Sequence, residues 1–235
     1  MAVEKVTPFL VSYHNAAFIR FNSGVQVLPV DWNLVQSALQ ESRDGHNLKA
    51  LAVLSALMQD AETDSDRAAI VLGEASCYAQ LQNVPKSRER LEVAKTYAKV
   101  DRAVMSQVAL SEASLYAQEK KYNLACRKFA ELKSEYHDLL VQPENEDFAL
   151  ELGSRLGCAL VDARRYSEAV SIFREIFERS ELEDKQRLQV FFGAALMRSG
   201  NAAEAQAVLF GAAKGKSAEL CKTALEYLSE IETAQ

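Results

Sequence analysis

Apolar and small residues recur along the chain at helical spacing, interrupted at regular intervals. Over residues 68–81, Val71, Ala75, Tyr78 and Ala79 fall on one face of a helix. The following stretch, QNVPKSRERLEVA (82–94), reads as a tight turn and a second helix. The same sentence is then written again. GEASCYAQ (73–80) and SEASLYAQ (111–118) share E-A-S-x-Y-A-Q, and KKYNLACRKFAEL (120–132) repeats the turn and second helix. GHNLKALAVLSAL (45–57), RRYSEAVSIFREI (164–176) and GNAAEAQAVLFGA (200–212) fit that template too. The small residue of each second helix then falls at Ala50, Ser87, Ala125, Ala169 and Ala205, in steps of 37, 38, 44 and 36 residues. A period of this size predicts stacked helix hairpins, each unable to bury its own faces without a near-copy beside it. Small residues (Ala75, Ala113, Gly157, Gly193) stand where two helices must approach closely, and large ones (Tyr78, Tyr116, Leu160, Leu196) fill the space alongside.

RLGCALVDARRYSEAVSIFREI (155–176) resembles the tetratricopeptide repeat (TPR), keeping Leu156-Gly157, Leu160, Ala169 and Phe173 at that family's offsets. Phe192-Gly193, Leu196, Ala205, Leu209 and Ala212 hold the same offsets one unit later. The likeness covers about residues 32–214. Glu74-Ala75 and Glu112-Ala113 replace the Leu-Gly pair in the two E-A-S-x-Y-A-Q units, and the opening Trp and closing Pro are missing throughout. The resemblance implies an all-α, right-handed solenoid of about five antiparallel helix pairs with a C-terminal capping helix. The repeats are expected at about 31–62, 64–99, 101–141, 145–181 and 183–214, with the cap at 217–233 and a separate apolar segment at 1–30.

Boundary residues fit this division. Asp31 can cap a helix that ends before Asp44-Gly45; Asp64 or Ser65 can open the next, with Pro85 in the first turn of its partner. Asp101 opens another, Gln142-Pro143 breaks the chain, and Asn201 with Glu204 has capping-box spacing after a Gly200 stop. In the last helix Leu220, Ala224, Leu228 and Ile231 are expected to face inward. RKFAELKSEYHDLL (127–140), with its alternating charges, reads as a solvated helix face. The first thirty residues are rich in large apolar groups such as Phe9, Leu10, Phe18 and Phe21. They predict either a helix from Thr7-Pro8 to Gly24 or a hairpin around Asn22-Ser23-Gly24, covering an end of the array, lying in its groove or meeting a partner. Trp32 is expected to pack that segment against the first repeat.

Composition narrows function by exclusion. With 9 Gly and 4 Pro in 235 residues the chain is poor in turn formers, and its net charge of −6 gives no general surface for phosphate backbones. Cys77, Cys126, Cys158 and Cys221 are widely spaced, each in an apolar-periodic stretch, so they read as reduced, packed thiols in a cytoplasmic protein. No apolar run is long enough for a membrane span, and no A-x-A site follows the one uncharged stretch near the start. His14, His46 and His137 are scattered, with no metal-ligand spacing, nucleophile elbow or phosphate loop. Glu74 and Glu112 are expected at the rim, paired with Arg or Lys, rather than as an acid–base couple. No enzyme activity, cofactor or metal is therefore expected.

In TPR-like arrays the first helix of each pair lines the concave side. By position this gives columns Val35, Leu72, Leu110, Ser154, Val190; Leu39, Ser76, Ser114, Cys158, Ala194; and Arg43, Gln80, Gln118, Asp162, Arg198. Leu72, Ser76, Gln80, Leu110, Ser114, Gln118, Arg155, Asp162, Val190 and Arg198 are the candidate groove residues. The Lys and Asn that some family members use for a C-terminal carboxylate are missing from the first two columns. The expected function is a protein-interaction scaffold taking a peptide or amphipathic helix in an apolar groove. The alternative is a subunit of a larger assembly that uses its ends and convex face, with the groove filled by its own N-terminal segment. The expected partner is a protein or peptide, not nucleic acid or membrane; the oligomeric state stays open.

Overall fold

A computed structural model describes residues 31–99, 101–142, 145–179 and 185–233. The helix-or-hairpin alternative for the apolar N-terminal segment lies outside them. Among the described residues every regular element is a helix: α1 Trp32–Arg43, α2 Asn47–Leu57, α3 Asp64–Gln80, α4 Val84–Tyr97, α5 Arg102–Gln118, α6 Tyr122–Glu135, α7 His137–Leu140, α8 Glu146–Asp162, α9 Tyr166–Arg179, α10 Lys185–Arg198, α11 Ala202–Ala213 and α12 Ala218–Thr233.

The turn inside each hairpin fixes the repeat. Gly45, Gln82, Lys120, Arg164 and Gly200 all sit in the left-handed region, at φ 88°, 58°, 61°, 60° and 87°. Each lies five residues before the small residue of its second helix. In every case the next residue donates its N–H to a carbonyl five residues back, from His46 to Glu41, Asn83 to Tyr78, Lys121 to Tyr116, Arg165 to Leu160 and Asn201 to Leu196, at 2.8–2.9 Å. The left-handed residue itself bonds the carbonyl three back, as Gln82 does to Ala79 and Lys120 to Ala117. This is the Schellman closure, which satisfies carbonyls that the helix end would otherwise leave bare.

Helix starts use side-chain caps. Asp31 accepts from the Asn33 N–H, Asn83 from Lys86, and Asp101 from Ala103 and Val104. Pro85 stands in the first turn of α4. Thr63 caps α3 and forms a reciprocal capping box with Asp66. The box expected at Asn201 and Glu204 does not form: the Asn201 amide donates to Ser199 Oγ, and Glu204 is held by Arg174. An ion pair to a neighbouring helix outcompetes the local cap there.

The chain divides into two compact units. The first comprises the described part of Met1–Lys121 with Glu131–Asn145. Its core has two clusters. Val35, Ala38, Leu39, Ala50, Leu54, Ile70 and Cys77 form one, with Trp32 partly buried against it. Val71, Ala75, Leu91, Ala94, Val104, Val108 and Leu115 form the other. Ser87 occupies a small-residue position and donates its hydroxyl to the Ala75 carbonyl at 2.8 Å, so the close approach of α3 and α4 leaves that hydroxyl paired.

The second unit comprises Tyr122–Ala130 and Glu146–Gln235. Gly157 faces Phe173 and Gly193 faces Leu209; a Cβ would come within 2.8 and 2.5 Å of those side chains. Phe192 stacks on Phe177 at 5.5 Å between centroids and tilts against Phe173 at 5.7 Å. In α12, Ala224, Tyr227, Leu228 and Ile231 are buried while Glu219, Lys222, Glu226 and Glu232 are exposed, the polar outer face that a terminal helix needs. Leu220 is half-buried. In 127–140 the charged residues are largely exposed, but Phe129, Leu132, Tyr136 and Leu140 are buried.

Candidate functional site

The first helices carry the candidate positions. In the first unit, α3 and α5 repeat Leu72/Leu110, Ser76/Ser114 and Gln80/Gln118 at the same levels, because the hairpin turns repeat at the same step. Val35, Leu72 and Leu110 are buried; the two leucines keep only 7% and 6% of their surface. Ser114 is buried and returns its hydroxyl to the Leu110 carbonyl at 2.8 Å. Ser76, Gln80 and Gln118 are half-buried, and Gln118 Nε2 donates to the Ala79 carbonyl at 2.7 Å, tying the ends of α5 and α3 together. The polar margin is therefore the part of these columns that solvent reaches.

Charges of this unit pair between helices. Glu112 takes Lys95 at 2.6 Å and Glu74 takes Arg90 at 3.4 Å. Glu74 is not at the rim: it is buried, and burial raises its carboxyl pKa against the pull of Arg90.

In the second unit Val190 is buried at 3%. Arg155 is buried as well, its Nε bonded to Glu151 Oε1 at 2.6 Å, so its charge is compensated inside the fold. Arg198 pairs with Glu230 at 3.0 Å. Asp162, the last residue of α8, is half-buried, and its pKa is pushed up to about 6 by burial, with Arg187 opposing the shift. Its field reaches Tyr122 and Tyr227, and Tyr227 also feels Arg198, Glu230 and Tyr166. The structure thus gathers Asp162 and Arg198 around Tyr227. Tyr122, Tyr166, Tyr227 and Arg187 were not among the sequence candidates. Tyr122 and Tyr166 share a repeat position, three residues before Ala125 and Ala169, and that coincidence could have found them. Nothing local marks Tyr227.

Cys77, Cys126 and Cys158 are buried free thiols; burial pushes Cys158 up to about 12, so it is inert as a thiolate. Among the described residues no cluster of three or more His, Cys, Asp or Glu could hold a metal ion, and no helix is long and apolar enough to cross a membrane.

No protein-family model matches the chain, and no curated protein matches it. Solved structures do. A putative kinesin light chain of Podosopora anserina with nearly identical TPR-like repeats aligns at 17% identity over 89% of this chain and 98% of that one, with a TM-score of 0.57. A point variant of that protein aligns at 16% identity over 86% and 96%, with a TM-score of 0.55. The MamA structure of AMB-1 aligns at 20% identity over 81% and 95%, with a TM-score of 0.48. The fold is a TPR-like helical repeat, on the strength of the first two and of the five matching turns.

Proposed function

We propose that the chain is a non-catalytic scaffold for protein–protein interaction. The observation supporting this is the recurrence of one set of side chains at one level of successive first helices, Ser76/Ser114 and Gln80/Gln118 above the buried Leu72/Leu110. A peptide or amphipathic helix laid across α3 and α5 meets one set per repeat. The reachable groups there are polar, so orientation comes from the glutamines, and apolar anchoring at Leu72, Leu110 or Val190 requires the floor to open.

A second reading, a subunit of an assembly that makes contact through its ends, is favoured by the exposed apolar residues. Leu34 and Leu48 lie on the first hairpin, α1–α2, and Phe210 and Leu225 on the last elements, α11 and α12. Cross-linking of the full chain in native lysate with Ser76→Phe, and separately with Phe210→Asp plus Leu225→Asp, separates the two. Loss of cross-linked protein with Ser76→Phe alone supports the groove; loss with the end variant alone supports the subunit. Unchanged cross-linking in both removes both surfaces from consideration.

A further inference from the structure

We propose that the edge of the first unit formed by the hairpin turns at Gln82 and Lys120 is a docking surface for an acidic segment of a partner protein, one presenting consecutive Asp or Glu side chains; this rests on the scaffold reading. The chain carries a net charge of −6, yet four cations stand on these two turns, Lys86, Arg88, Lys120 and Lys121. One carboxylate answers two of them. Glu119 Oε2 takes Arg88 Nη2 at 2.9 Å and Lys121 Nζ at 3.0 Å, so two positive groups converge on a single oxygen and one charge is left over. Lys86 and Lys120 are exposed and make no ion pair among the described residues; Glu89, one turn after Lys86 on α4, is not bonded to it.

The repeat itself accounts for the uncompensated charge. One unit earlier, Lys49 holds the position of Lys86 and Glu41 the position of Tyr78, 37 residues before in each case. There the lysine meets the carboxylate at 2.6 Å, with His46 on its other oxygen at 2.9 Å. In the next unit a ring replaces that carboxylate: Lys86 Nζ stands 5.2 Å from the Tyr78 centroid. Tyr116 follows at the same repeat position, and the Arg88 guanidinium lies 4.6 Å from its centroid. A ring face holds a cation through its quadrupole but carries no formal charge, so these cations are oriented without being neutralised. An arriving carboxylate finds donors already in place, and no native ion pair has to break at Lys86 or Lys120. Carboxylates spaced along a segment match charges spaced over two turns, and the local positive surplus steers their approach.

The test is fluorescence anisotropy of a labelled octaglutamate peptide with the full chain. Wild-type protein should bind the peptide at low salt and release it as sodium chloride rises from about 50 to about 300 mM, because screening shortens the reach of exposed charges. Lys86→Gln plus Lys120→Gln should weaken binding about fivefold to tenfold, as expected for two exposed charge pairs. Lys214→Gln plus Lys216→Gln, which removes the same charge from the exposed α11–α12 connection, should change it less than about twofold. Lys86→Arg plus Lys120→Arg should retain it. All of these lysines are exposed, so melting temperatures should be unchanged and the comparison is between folded proteins. An equal loss in the two glutamine pairs would mean attraction by overall charge and would overturn the assignment. So would absence of binding at the lowest salt, or tighter binding of an oligothymidine octamer than of octaglutamate by the wild-type protein. Each of these results leaves the scaffold reading standing, because the cross-linking that tests it uses Ser76→Phe and the end variant, which leave these turns unaltered.

Discussion

Three of the five hairpin turns use a residue with a side chain where the backbone favours glycine, and removing that side chain should stabilise the protein. Gln82, Lys120 and Arg164 hold φ of 58°, 61° and 60°, whereas Gly45 and Gly200 fill the equivalent positions without strain. All three are exposed, and none of their side chains makes a hydrogen bond or ion pair among the described residues, so Gly substitution deletes no such contact. The left-handed conformation costs an L-residue about 1–2 kcal/mol. Gly returns part of that by enlarging the unfolded ensemble, about 0.4–1 kcal/mol. The net gain is about 0.5–1 kcal/mol per site, and three sites in separate turns should add to about 1.5–3 kcal/mol. At about 2–4 °C per kcal/mol for a chain of this size, the triple variant Gln82→Gly, Lys120→Gly, Arg164→Gly should melt about 3–12 °C higher. The converse control is clean. A Cβ at Gly45 or Gly200 meets nothing within 4 Å, so Gly→Ala there tests backbone strain alone and should cost about 1 kcal/mol. Thermal and urea melts followed by circular dichroism at 222 nm measure both. A triple variant no more stable than the parent, together with unchanged Gly45→Ala and Gly200→Ala, would refute the Schellman assignment.

Gly157→Ala and Gly193→Ala should each destabilise by about 1–3 kcal/mol in urea melts, because the added carbon falls 2.8 Å from Phe173 and 2.5 Å from Leu209 in packed interiors. Gln186 binds the α11–α12 connection three ways, its Nε2 to the Ala212 and Ser217 carbonyls and its Oε1 to the Ser217 N–H, so Gln186→Ala should cost about 2–3 kcal/mol and raise amide exchange in α12 first. For Asp162 the folded carboxyl near 6 lies above the ordinary 3.8, so the folded state binds its proton more tightly than the unfolded state does. Stability from this group is therefore present at low pH and lost as pH rises from about 4 through 6, by about 1–2 kcal/mol after solvent screening. Asp162→Asn should remove that slope and leave the melting temperature at pH 7.5 unchanged or higher; a lower one would mean that the carboxylate is paired.

What the sequence determined by itself is the local and periodic part. The step of the small residues at 50, 87, 125, 169 and 205 is identical to the step of the left-handed turns at 45, 82, 120, 164 and 200, since one hairpin geometry demands both. Two of those turns announce themselves as Gly45 and Gly200, and Asp31 and Asp101 cap where a short acceptor before an apolar-periodic run should. The turns at Gln82, Lys120 and Arg164 carry no local sign, because there the packing of two helices around Ser87, Ala125 and Ala169 overrides the residue's own preference. Which polar side chains close on each other was also left to tertiary structure. Asn201 and Glu204 have the spacing of a cap, yet Arg174 from another helix takes the glutamate. Glu74 and Glu112 occupy the same repeat position, yet one is buried against Arg90 and the other half-buried against Lys95. Asp162 looks in sequence like any charge at a helix end. Only burial in the folded chain, against the opposing charge of Arg187, lifts its carboxyl above the ordinary range. Hydrogen bonds to nearby residues and helical periodicity act over a few positions, so they can be read along the chain. Desolvation and charge pairing depend on what distant segments bring alongside, so they are settled only when the helices are stacked.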